Sequence, residues 1–186
     1  MLPALTAGLT GIVIIALLLL KSRYAGFHSQ RPADFKGKGP GFDPRIHLNG
    51  PILCEGVLYG PFGRITSRFV ARMEGVWNGD TGVLRERFSY DNGSTQDREW
   101  RLTLGRDGAI LAEADDLAGA GHGRVEGPAV QMKYRLRLPQ DAGGHVLAVN
   151  DWMYLMENGS IINRSRFSKF GIPVAELVAT MRRVAP

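Results

Sequence analysis

The stretch from His145 to Phe167, HVLAVNDWMYLMENGSIINRSRF, decides how this chain folds. Its first half alternates through Val146, Ala148, Asn150, Trp152, Tyr154 and Met156, meets Asn158-Gly159, and returns through Ile161, Asn163, Ser165 and Phe167. Alternation with period two on both sides of Asn-Gly predicts a β-hairpin, because a tight primed turn needs positive φ at both central residues. One face of this hairpin combines aromatic, amide and hydroxyl groups, as expected of a wall that is mostly dry yet offers a few hydrogen bonds.

Working outward, short alternating segments separated by Gly, Asn and Asp predict strands over 52–59, 65–77, 83–90, 95–104, 109–116, 125–138, 146–157 and 160–167. Charge selects the register. A three-residue loop at Asp91-Asn92-Gly93 places Glu86 opposite Arg98, Arg87 opposite Asp97 and Arg85 opposite Glu99, whereas a two-residue loop sets like charges against each other. The same loop type at Arg106-Asp107-Gly108 sets Leu104 beside Ile110 and Arg98 beside Asp116. The inward set is then even-numbered, and the same parity is expected for Val130, Met132, Tyr134 and Leu136, and for the 146–156 strand. Strands curling over one inner face predict an all-β, antiparallel calycin-like barrel of about eight or more strands, since closure removes exposed edges.

The ends have a different character. Leu2 to Leu20 carries no charge, and nineteen residues at ~1.5 Å rise would span roughly 28 Å, close to the thickness of the hydrocarbon layer. An N-terminal transmembrane anchor over 1–21 is therefore expected, followed by a Gly- and Pro-containing linker over 22–50 and the barrel over 51–186. At the other end Pro173 can occupy a first helical turn, and Val174, Leu177, Val178, Met181 and Val184 share a helical face, predicting a short C-terminal helix. Six basic against two acidic residues between Lys21 and Arg45 supply +4 of the total +5. The excess charge sits beside the apolar segment rather than on the barrel, so nucleic acid is not an expected partner. By the positive-inside rule it places the barrel in the cytoplasm.

The register brings Glu86, Arg98 and Asp116 side by side on the inner face. Buried charges persist when paired, so the group is either a self-satisfied ion cluster or an anchor for the polar head of a ligand. Trp100, Tyr134, Asn150, Trp152, Tyr154 and Asn163 complete the candidate ligand-binding set. The four histidines are scattered without ligand spacing, and no strand-turn-helix serine elbow occurs. No metal centre, cofactor or catalytic residue is expected. Cys54, in an apolar run, reads as a small core residue.

Gly75-Val76-Trp77 is similar to the Gly-x-Trp of lipocalins. Taken in order, Gly75-Val76-Trp77-Asn78-Gly79, the strand from Glu86 to Tyr90 with its Asp91-Asn92-Gly93 loop, Arg98-Glu99-Trp100, Asp115 to Ala120, Asp151 to Tyr154 and Asn163 to Gly171 resemble the bacterial Domain of Unknown Function family 3833 over roughly 42–182. The resemblance implies relatives described as lipoproteins, with genes near those for fatty-acyl modification, and so favours the periplasmic side of a bacterial inner membrane. This chain has no cysteine near position 20 to carry the lipid. The expected function is binding of a fatty acid or lipid by a membrane-anchored, single-pass barrel. Two alternatives are an enzyme acting on an acyl lipid, with Asp116 or Glu86 as acid or base, and a filled barrel that serves as a protein-interaction module.

Overall fold

The computed structural model describes residues 29–184 without a break, together with 11, 13, 14, 16, 17, 26 and 27. Ten antiparallel strands form a closed barrel: β1 (Gly50–Tyr59), β2 (Ile65–Asn78), β3 (Thr81–Tyr90), β4 (Thr95–Leu104), β5 (Ala109–Glu113), β6 (Gly121–Glu126), β7 (Ala129–Arg137), β8 (Val146–Leu155), β9 (Ile161–Lys169) and β10 (Ile172–Arg183). Each strand pairs with its neighbours in sequence, and β10 returns to β1.

The charge-selected registers are the observed ones. Glu86 pairs with Arg98, Arg87 with Asp97, Arg85 with Glu99 and Leu84 with Trp100, and Leu104 pairs with Ile110. On the outer surface Arg85 Nε lies 2.9 Å from Glu99 Oε2. Inward-facing Leu84, Trp100, Ile110, Val130, Met132 and Tyr134 are buried.

Several expectations are corrected. The C-terminal helix is instead strand β10, in which Leu177, Ala179 and Met181 pair with Ser165, Asn163 and Ile161. The same residues satisfy a helical and a strand period, but only a strand can occupy the gap between β1 and β9 and satisfy the backbone groups of both. The region expected as a single strand over 125–138 turns at Gly127-Pro128: its first two residues end β6, whose glycines read as loop, and most of the rest is β7. Gly123 is favoured there because a Cβ would lie 2.5 Å from the Gln131 backbone oxygen. The transmembrane helix has no counterpart: among the described residues no helix is long and apolar enough to cross a membrane. Most of the expected 1–21 span lies outside the described residues. That expectation rests on apolar length alone; the described residues of the run, Gly11, Val13, Ile14, Ala16 and Leu17, are helical.

Strand β8 has the opposite parity to that expected. Leu136 pairs with Leu147, Tyr134 with Val149 and Met132 with Asp151, so the odd-numbered residues face inward. Asn150, Trp152 and Tyr154 therefore lie on the outer face. Trp152 is nonetheless 0% exposed, because Phe35 packs over it with ring centroids 5.7 Å apart and Tyr154 stacks beside it at 5.9 Å. Gln131 beneath the same cover is also buried and donates to Asn150 Oδ1 at 2.8 Å. With both faces of β8 covered, both carry apolar residues, and alternation alone does not identify the inner one. Across Asn158-Gly159 the tight two-residue turn is not formed: the loop is one residue longer, Leu155 pairs with Ile161 and Asp151 with Ser165, and of the two turn residues only Gly159 has positive φ.

The segment from Phe35 to Asn49 runs along this outer wall and then across one end of the barrel. Phe42 N–H donates to Gly127 O at 2.8 Å, a helical turn follows at Pro44–His47, and Leu48 is buried in the core. Trp77 Nε1 donates to Leu48 O at 2.9 Å. A Cβ on Gly75 would stand 1.9 Å from that same oxygen. The Gly-x-Trp pattern thus has a direct physical role: glycine lets the segment pass against β2, and tryptophan holds it there. At the opposite end the loops β1–β2, β3–β4, β5–β6, β7–β8 and β9–β10 surround an open mouth.

Candidate functional site

Ten strands enclose more space than their inward side chains fill, because barrel diameter grows with strand number. The result is a cavity of about 650 Å³, within the range of small-molecule sites. Its floor is formed by Leu48, Leu104, Ile110, Val130 and Met181, and its upper wall by Leu58, Phe69, Phe88, Leu136, Leu147 and Phe167. Phe69 and Phe88 meet edge to face with centroids 5.4 Å apart.

A polar belt crosses this apolar interior at mid-height. Arg98 lies at its centre, with its guanidinium 4.0 Å from the centroid of the Trp100 ring and 5.7 Å from that of Tyr134. Its Nη2 donates to Asp116 Oδ1 at 3.1 Å, and Nε lies 2.9 Å from Asp116 Oδ2. The Nε contact is off-axis, which leaves that buried N–H without an aligned acceptor. The Arg98 side chain is 14% exposed and that of Asp116 is 26% exposed. Asp116 is thus the more accessible partner.

Glu86 and Asp151 also belong to the belt. Burial pushes the Glu86 carboxyl up to about 7, against the opposing pull of Arg98. Burial likewise raises Asp151 above the ordinary carboxylate range, against hydrogen bonds from Ser165 and Asn163. Ser165 Oγ donates to Asp151 Oδ1 at 2.7 Å, and Asn163 Nδ2 donates to the same oxygen and to Trp152 O at 3.0 Å. The Tyr134 phenol is pushed well up by burial, so it stays protonated and able to donate. Three carboxylates face one guanidinium in a dry site, and burial raises Glu86 and Asp151 against the pull of that single cation. Cys54 also borders the cavity, and burial raises its thiol to about 12, which keeps it protonated and unreactive.

Of the residues singled out in the sequence, Glu86, Arg98, Trp100, Asp116, Tyr134 and Asn163 line the cavity, while Asn150, Trp152 and Tyr154 stand outside it. Asp151, Tyr90 and Gln96 line it without having been legible as site residues. Tyr90 O–H donates to Gln96 Oε1 at 2.9 Å near the mouth. A carboxylate in mid-strand at Asp151, between Val149 and Met153 on the same face, is the signal that points to it.

The barrel is similar to the S-type phycobiliprotein lyase CPES from Guillardia theta, with a TM-score of 0.53 at 6% identity over 75% of this chain and 90% of that one. It is also similar, with a TM-score of 0.53 at 13% identity, to a protein of unknown function of the DUF3598 family from Nostoc punctiforme. That likeness covers 79% of this chain and 51% of the other. At such identities the likeness concerns the fold alone. No curated protein matches the sequence. The model of one family spans residues 22–183, and the chain belongs to that family, DUF3833, whose members are described as proteins of unknown function.

Proposed function

We propose that this protein binds an elongated amphipathic molecule, a fatty acid or another acyl lipid, inside the barrel. The observation that carries the reading is the open apolar cavity crossed at mid-height by a buried polar belt. A core whose only task was stability would fill that volume with aliphatic side chains, whereas this one keeps about 650 Å³ open and holds three carboxylates and an arginine at its centre. The ligand's polar group meets Arg98, Asp116 and Glu86, with Tyr134 and Asn163 as neutral partners. Its apolar part lies along Leu58, Phe69, Phe88 and Phe167 towards the mouth.

Native mass spectrometry with organic extraction, on protein purified from bacterial cells, tests this. A reproducible added mass that extracts as an acyl lipid supports the reading. A bare mass that stays bare after incubation with a panel of fatty acids and phospholipids overturns it.

A second reading rests on Glu86. A buried carboxyl near 7 beside another carboxylate and a guanidinium is suited to moving a proton at neutral pH. On that reading the extracted acyl compound is chemically changed on incubation, and Glu86→Gln abolishes the change while leaving the added mass.

A further inference from the structure

The two most exposed large apolar side chains of the described molecule lie at the same end of the barrel, on neighbouring hairpins. Phe62, in the β1–β2 loop, and Phe170, in the β9–β10 turn, are each 93% exposed, with Ile65 at 56% and Ile172 at 67% beside them. The hairpins adjoin because β1 pairs with both β2 and β10, and Tyr59 faces Ile65 on one side and Glu176 on the other. Both tips stand beside the mouth of the cavity rather than at the end closed by Leu48.

The backbone at Phe170 strengthens the case. Lys169 pairs with Ile172, leaving a two-residue loop with φ of 52° at Phe170 and 79° at Gly171. Such a loop favours Asn-Gly, and a bulky residue in the left-handed region is strained. Here that position is filled by an aromatic residue with its ring in solvent.

The charge around the tips completes the pattern. Arg64 and Lys169 flank the two phenylalanines, and among the described residues neither forms an ion pair. Of the acids on this side, Asp91, on the adjoining hairpin, is held by Arg68, and Glu176, opposite Tyr59, is held by Arg164 and Arg166. Lys169 Nζ lies 5.7 Å from the centroid of the Phe170 ring, and aromatic tips flanked by cations that hold no carboxylate match an anionic bilayer, where rings enter the interface and cations meet phosphate.

We infer that the open end of the barrel docks on an anionic lipid surface, inserting Phe62 and Phe170 and setting the cavity mouth against the bilayer. A bilayer is favoured over a protein partner because the apolar groups project as separate convex tips and form no groove. The inference stands on the surface residues and also gives an acyl ligand a short path into the cavity.

Cys54 is buried with its thiol raised to about 12, so a cysteine placed at a hairpin tip can be labelled selectively in the full-length chain. Phe62→Cys, Phe170→Cys and, at the closed end, Asn158→Cys are each labelled with an environment-sensitive dye and mixed with vesicles of phosphatidylglycerol and phosphatidylethanolamine. The expected result is a blue shift and quenching by brominated lipid at 62 and 170 and none at 158. The combined Arg64→Glu and Lys169→Glu change should weaken that response at least tenfold. Dyes at 62 and 170 that stay in water while the chain is bound to vesicles would overturn the inference. So would shielding that needs no lipid and grows with protein concentration, which would assign the tips to contact between copies of the chain. An extracted acyl lipid found together with unshielded tips would remove the docking surface and leave the ligand reading standing.

Discussion

At the scale of single residues, the interior is governed by charge held out of water. Glu86 titrates near 7 in the folded chain against 4.5 when exposed. Between those values the folded state binds more protons than the unfolded one, so its contribution to stability falls as pH rises from about 4.5 to 7. Asp43, Asp91 and Glu176 are held low by their arginine partners, and their stabilisation is lost only at more acid pH. Glu86→Gln removes the neutral-range loss. Urea denaturation should show the variant gaining up to roughly 3 kcal/mol over the parent at pH 8 and little at pH 4.5. Arg98→Leu leaves Asp116, Glu86 and Asp151 without their cation and should cost about 3–5 kcal/mol in the same assay. At the rim, Phe170→Asn relieves the left-handed strain and should raise stability by about 1 kcal/mol while weakening vesicle binding. Glu86, Arg98 and Asp116 are legible in the sequence because only one loop length pairs opposite charges. Asp151 is not, because its strand has apolar residues on both faces.

At the scale of elements, the segment from Phe35 to Leu48 and strand β10 determine what kind of barrel forms. The segment supplies the cover that buries Trp152 and the plug that closes one end. Its attachment depends on the Trp77 hydrogen bond to Leu48 O. Trp77→Phe should cost about 1–2 kcal/mol, from the lost bond and a carbonyl left unsatisfied, read as a lower denaturation midpoint. Strand β10 shows why helical spacing was ambiguous there. Val174, Leu177, Val178 and Met181 satisfy a helical face, while Leu177, Ala179 and Met181 satisfy a strand, and the unpaired edges of β1 and β9 decide between them.

For the whole molecule, the two ends of the barrel differ in construction. One is closed by aromatic and aliphatic packing around Phe42 and Leu48, and the other opens between hairpin loops that carry exposed aromatic residues. Leu177 lies on the cavity wall and is only partly buried. Leu177→Trp should fill part of the cavity and abolish the bound mass in native mass spectrometry, with thermal unfolding shifted by only a few degrees, since the added ring enters open space rather than a packed core.

The amino-acid sequence by itself determined the all-β class, the antiparallel order, the registers of β3, β4 and β5, and the grouping of Glu86, Arg98 and Asp116. These follow from local signals: alternation, turn glycines and the pairing of charges across successive hairpins. Only the tertiary structure decided which face of β8 is inner, that the last element is a strand, that one end is plugged and that a cavity remains. Each of these depends on surfaces brought together from distant parts of the chain. The cover from Phe35 makes the outside of β8 as dry as its inside, and ring closure imposes a strand on residues whose own pattern also permits a helix.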